Sequence, residues 1–109
     1  PRVYFKEREV WFCHLGENVG FEQDGRGDEF LRPVVVIKNF NQEVFWALPL
    51  TRNQKSGPCY FSFRLNNEIS TVILSQLRLI DAKRLKYKIG DMAQVDFLEV
   101  KTKIRQFFA

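Results

Sequence analysis

The chain has 109 residues, 45% of them hydrophobic and 11 of them Phe, enough to bury one core and too few for two, so residues 1–109 are read as one domain. Seventeen Lys and Arg against thirteen Asp and Glu leave a formal charge of +4 and a pI near 9.3, which suits a polyanionic partner and equally a merely solvated basic surface. With one His, two distant Cys, no HExxH or Asp-x-Asp pattern, no Gly-rich phosphate loop and no GxSxG, metal-dependent, nucleotide and serine hydrolysis all lack their apparatus.

Residues 9–15, EVWFCHL, are short, aromatic and β-prone, and run into turn residues at 16–20. His14 at the end of that strand has no second imidazole to share acid–base work, so it reads as a packing or hydrogen-bonding residue. The runs 34–38 and 44–48 lack clean alternation, which marks central strands covered on both faces. They are joined by Asn39-Phe40-Asn41-Gln42, whose Asn residues tolerate the positive φ of a hairpin. Pro49 is expected to end the second strand, because it donates no N–H, and 50–58 reads as a polar loop. Further strands are expected at 59–65 and 71–77, then one helical turn over 80–85 with Asp81 as its N-cap. Asp91-Met92-Ala93-Gln94 has capping-box form, and Ala93, Phe97, Val100, Ile104 and Phe108 recur at helical spacing to about residue 107. Several short strands followed by one amphipathic helix imply a small, strongly bent barrel covered by that helix. Cys13 and Cys59, without a CxxC or Cys/His cluster, suggest reduced thiols, and no leader-like or membrane-length apolar run is present. The expectation is a soluble, cytoplasmic protein without metal, cofactor or membrane contact.

The stretch 23–36 carries the sharpest functional hint. It sets Arg32, whose charge is permanent, and Pro33 between a polar loop and the buried run 34–37, a junction where scaffolds present sites. If 34–37 and 44–48 pair antiparallel, Arg32 falls near Thr51. A guanidinium can grip a phosphate bidentately and a Thr hydroxyl can donate to another oxygen. Spacing alone favours a plainer reading, in which Arg32 pairs with Glu22 or Glu29 and Thr51 caps a turn.

Taken in order, Val10-Trp11-Phe12, Gly20-Phe21-Glu22-Gln23-Asp24-Gly25, Arg32-Pro33-Val34-Val35-Val36-Ile37, Pro49-Leu50-Thr51 and Ser75-Gln76-Leu77-Arg78-Leu79-Ile80-Asp81 with Arg84-Leu85 resemble the MazF/PemK (Kid) family of type II toxin–antitoxin toxins. Each block is weak alone, but five in the family's order and spacing are specific, and they span nearly the whole chain. The resemblance implies a mainly β fold with α, an SH3-like barrel with a C-terminal α-helix. It implies a homodimer that cuts single-stranded RNA within short motifs without a metal, leaving a 2′,3′-cyclic phosphate and a 5′-hydroxyl. It also implies a cognate antitoxin, whose acidic tail occupies the RNA groove. By the same resemblance Arg32 and Thr51 are catalytic, and Glu22 and Gln23 shape the groove.

Two departures qualify the transfer. Ser75 stands before Gln76 where members often carry an acidic residue, so that carboxylate cannot serve as base here; Glu22 is the substitute candidate. The loop from Gln23 to Arg32 is longer than usual, and its Arg26, Asp28 and Glu29, with Arg52 beyond Thr51, bear on which motif is read. Phe21, Phe30, Arg26, Arg52, Lys55, Ser75 and Gln76 are the RNA-contact candidates, with Phe21 and Phe30 serving equally well as loop anchors. Two rivals keep the fold: a DNA gyrase poison acting through its C-terminal residues, and a non-catalytic RNA- or protein-binding module that lost its base at Ser75.

Overall fold

The computed structural model describes residues 3–15 and 31–109. Within them run β1 (Glu9–His14), β2 (Leu31–Asn39), β3 (Val44–Thr51), β4 (Tyr60–Leu65), β5 (Glu68–Ile73), β6 (Arg78–Asp81), a 3₁₀ turn (Ala82–Arg84), β7 (Leu85–Asp91) and α1 (Gln94–Gln106). The strands pair antiparallel in the order β4-β5-β3-β2-β1-β7, with β6 also on β3. The result is the expected mainly β architecture, a curled half-barrel sheet with one C-terminal helix.

Central strands covered on both faces explain the unbroken apolar runs. Val34, Val35, Val36 and Ile37 are all buried. Alternation sends Val35 and Ile37, with Val10, Leu48, Leu50, Phe63 and Val72, toward Met92 and the Phe97 and Val100 side chains of α1. It sends Val34 and Val36, with Trp11, Phe45, Ala47 and Ile80, toward Phe5 and Leu85 on the other face. Each such fully buried side chain contributes about 1.5–3 kcal/mol.

β3 is the shared strand. One edge pairs with β2, while the other pairs with β6 along positions 44–47 and with β5 at positions 50 and 51. Leu48 and Pro49 fall in the gap between those two partners. This corrects the expectation that Pro49 ends the ladder: the strand continues to Thr51, and Pro49 sits where one edge has no neighbour, a place that tolerates proline.

The turns also differ from expectation. In the β2–β3 loop the positive φ belongs to Gln42, at 65°, not to an Asn. The Asn side chains act as acceptors instead: Asn39 Oδ1 takes the Gln42 N–H at 2.9 Å, and Asn41 Oδ1 takes the N–H groups of Glu43 and Val44. β5 starts at Glu68, earlier than expected, because Asn66 and Asn67, with φ of 51° and 67°, close a two-residue hairpin. Residues 74–77 then turn instead of extending that strand. At the hairpin tip Asn66 Nδ2 donates to the Ile89 carbonyl of β7 at 3.2 Å. Gly90 permits the approach, since a Cβ there would lie 3.3 Å from Asn66 Oδ1.

Asp81 caps the 3₁₀ turn as expected, its Oδ1 accepting the Lys83 N–H at 2.8 Å. The capping box at 91–94 is not formed. Asp91 is the last residue of β7 and faces Lys88 at 3.3 Å, the Met92 N–H goes to Arg8, and α1 starts behind Ala93 with no side-chain cap. Phe108, expected on the buried face, is 79% exposed beyond the end of α1. Among the described residues no helix is long and apolar enough to cross a membrane.

Candidate active site at the strand ends

Arg32 is the second residue of β2 and lies opposite Cys13 of β1. Extending the β2–β3 register two residues past Val34 and Pro49 sets Arg32 opposite Thr51. Thr51 pairs with Thr71 of β5, and Thr71 with Ser62 of β4. Cys13, Arg32, Thr51, Thr71 and Ser62 therefore form one polar row across five strands. Alternation places that row on the face away from α1, because the flanking Val35, Leu50, Val72 and Phe63 belong to the helix-side core.

The row grades from solvent to interior. Arg32 is exposed and Thr51 half-buried. Thr71 is fully buried, its hydroxyl 2.8 Å from Ser62 Oγ, so its polar group is satisfied within the sheet. Thr51 Oγ1 accepts the Asn53 N–H at 3.1 Å, the turn-capping role that spacing alone favoured. A hydroxyl that accepts an N–H keeps its own hydrogen to donate, so the cap and an oxyanion contact are compatible.

Two further guanidiniums reach this end of the sheet. Arg84 Nη1 donates to the His14 carbonyl at 3.2 Å. Arg78 stands on β6 opposite Ala47. Burial pushes the Cys13 thiol up to about 11, while the charges of Arg84 and Arg78 pull it in the opposite direction. Neither arginine was among the sequence candidates; the signal was their place in the 75–85 block, which served only to recognise the family.

The remaining candidates divide. Ser75 and Gln76 are exposed in the turn between β5 and β6, the two strands that share one edge of β3. Arg52 follows Thr51 directly but is ion-paired with Glu68 at 3.7 Å on an exposed surface. Lys55 is exposed in the same loop. Glu22, Gln23, Phe21, Arg26 and Phe30 lie outside the described residues. Among the described residues no three His, Cys, Asp or Glu side chains converge.

The family model for PemK-like, MazF-like toxins of type II toxin–antitoxin systems matches residues 6–108. Among solved structures, a MazF from Deinococcus radiodurans superposes with a TM-score of 0.74 at 17% identity, covering 97% of this chain and 98% of that one. The Mycobacterium tuberculosis toxin MazF-mt6 gives 0.69 at 16% identity, covering 93% and 96%. A mycobacterial endoribonuclease in complex with its cognate antitoxin gives 0.70 at 12% identity, covering 94% and 92%. No curated protein matches the chain in sequence. At these identities the structural likeness speaks for the fold.

Proposed function

The chain belongs to the PemK-like, MazF-like family of type II toxin–antitoxin toxins, and from that premise we propose that it is a sequence-selective, metal-independent endoribonuclease acting on single-stranded RNA. The observation that carries the reading is the register that sets Arg32 opposite Thr51 at one end of the sheet, with Arg84 bonded to the His14 carbonyl at the end of the neighbouring strand. In the proposed reaction the ribose 2′-oxygen attacks the adjacent phosphorus. Its proton passes to a base, the bond from phosphorus to the 5′-oxygen breaks, and that oxygen leaves protonated. The products are a 2′,3′-cyclic phosphate and a 5′-hydroxyl. Charge accumulates on the non-bridging oxygens, where a permanently cationic guanidinium and a donating hydroxyl are worth most. Arg32 stabilises that charge and hydrogen-bonds the leaving oxygen, which takes its proton from water, and Thr51 holds the phosphate. Glu22 is the proposed base, since Ser75 has no carboxylate.

The partners follow from the same reading: a cognate antitoxin with an acidic segment, a second copy of the chain in a homodimer, and a cytoplasmic setting where mRNA is the substrate. Val95 and Leu98, exposed on α1, offer apolar surface for self-association.

The test is incubation with a long single-stranded RNA in EDTA, with fragment ends mapped and Arg32→Ala run in parallel. Discrete cuts with cyclic-phosphate ends, lost in a folded Arg32→Ala protein, are expected. Normal cutting by that variant would overturn the assignment of Arg32, and intact RNA with the unaltered protein would favour a silent RNA-binding module or a gyrase poison.

A further inference from the structure

Thr71 carries a buried hydroxyl that the proposed reaction does not use. Its place beside Thr51 is set by the backbone: the β2–β3 register runs to Val34 and Pro49, so the last residue of β3 is held on its other edge, by Thr71 of β5. The strand order β4-β5-β3 puts Ser62 on one side of Thr71 and Thr51 on the other, all three on one face of the sheet. Side chains directly opposite in an antiparallel pair stand about 4.5–5.5 Å apart at Cβ, near enough for hydroxyl groups to bond. Thr71 therefore lies between two hydroxyl neighbours, with a single hydrogen to place.

That hydroxyl is turned to Ser62, the two oxygens lying 2.8 Å apart. Thr71 is fully buried and must give its hydrogen to protein, whereas Ser62 is exposed and has water for its own, so Thr71 donates and Ser62 accepts. With Oγ1 directed at β4, Thr71 offers no hydroxyl to β3. Thr51 Oγ1 takes the Asn53 N–H at 3.1 Å and keeps its own hydrogen to give. Without the Ser62 oxygen, the next hydroxyl along the row is that of Thr51, and a buried hydroxyl left unpaired is costly enough to turn to it. A bond between the two threonines, whichever donates, draws Thr51 Oγ1 toward β5 and away from Arg32 on β2.

We propose that Ser62 and Thr71 are positioning residues for the reaction: by engaging each other they leave the Thr51 hydroxyl aimed at the scissile phosphate. Neither touches RNA in this role, and both act through Thr51. The inference rests on the ribonuclease reading and adds to it a hydrogen bond that selects the working rotamer of Thr51.

The test compares Ser62→Ala, Thr71→Val, the double variant and Ser62→Thr by initial rates on a single-stranded RNA, with the Asn53 amide followed in ¹H–¹⁵N spectra of the same proteins without RNA. Ser62→Ala should lower kcat about tenfold, less than loss of the Thr51 hydroxyl itself, with KM nearly unchanged. Its Asn53 resonance should move, because the oxygen that accepts from that amide is drawn off. Thr71→Val has no hydroxyl to turn on Thr51 and should cut normally. The double variant should regain both the unaltered rate and the unaltered Asn53 resonance, and Ser62→Thr, which keeps the acceptor, should also cut normally. A purely structural pair predicts the opposite order, with the double variant slowest. Full activity in Ser62→Ala, a double variant that stays slow, or an Asn53 resonance that stays in place in Ser62→Ala would overturn the proposal. RNA left intact by the unaltered protein would overturn the ribonuclease reading, and the Asn53 resonance, read without RNA, would still decide whether Ser62 governs Thr51.

Discussion

Thr51 separates structure from chemistry at a single side chain. Its hydroxyl caps Asn53, and the proposed reaction asks the same oxygen to donate to phosphate. Thr51→Ser keeps both abilities and should cleave RNA nearly normally, whereas Thr51→Val keeps the shape and should slow cleavage about a hundredfold. A Val variant of full activity by initial rates would leave Thr51 with its turn alone. Cys13 offers a prediction independent of catalysis. Its buried thiol ionises only near 11, against 9.0 for an ordinary one. The unfolded chain therefore releases that proton first, and folding stability should fall as pH rises from about 9 to about 11, in a decline that Cys13→Ala removes. In the same protein iodoacetamide at pH 8 should modify the half-buried Cys59 and spare Cys13. That Arg32 falls near Thr51 was legible because two neighbouring strands could be read from apolar runs; the catalytic role of both residues came from the family resemblance alone. The Ser62–Thr71 pair was not, because its register depends on the hairpin at Asn66-Asn67, whereas the sequence reading started the second strand three residues late, at 71.

At the scale of elements, that hairpin shows where pattern fails. Asn66-Asn67 is a two-residue turn signal, but Glu68 and Ser70 give the start of the following strand a polar face, and full burial comes only at Thr71 and Val72. Asn tolerates the left-handed backbone that both positions require, so Asn67→Ala should cost about 1 kcal/mol of stability in urea unfolding, and Asn67→Gly should cost nothing. The helix was legible in extent from its spacing of Phe97, Val100 and Ile104. Its start was misread because Asp91 looked like a cap while the backbone was still committed to β7, whose pairing with β1 extends to Glu9 and Asp91. Local signals compete, and the longer-range ladder won. Pro49 repeats the lesson: its missing N–H matters only where a neighbour waits, and tertiary placement left that edge open.

For the whole molecule, the sheet is two pieces meeting at β3. Among the described residues the β4–β5 hairpin is joined to the rest of the sheet by two residue pairs, at Leu50 and Thr51, and meets β7 at the Asn66 side-chain hydrogen bond and at Leu65 beside Gly90. The other strands are fastened by longer ladders. Phe63 and Val72 anchor the hairpin in the core, so it is not loose, but its fastening to the sheet is the shortest in the barrel. Native-state amide exchange should accordingly rank β2 and β3 as the slowest segments and β4–β5 as faster. Equal protection throughout would mean that core packing alone sets the order. Because one of the two fastening pairs is Thr51 with Thr71, the hinge of that hairpin and the proposed phosphate contact coincide. Substrate binding at Thr51 would therefore register as slowed deuterium uptake at residues well up the hairpin, a signal of occupancy readable without any cleavage.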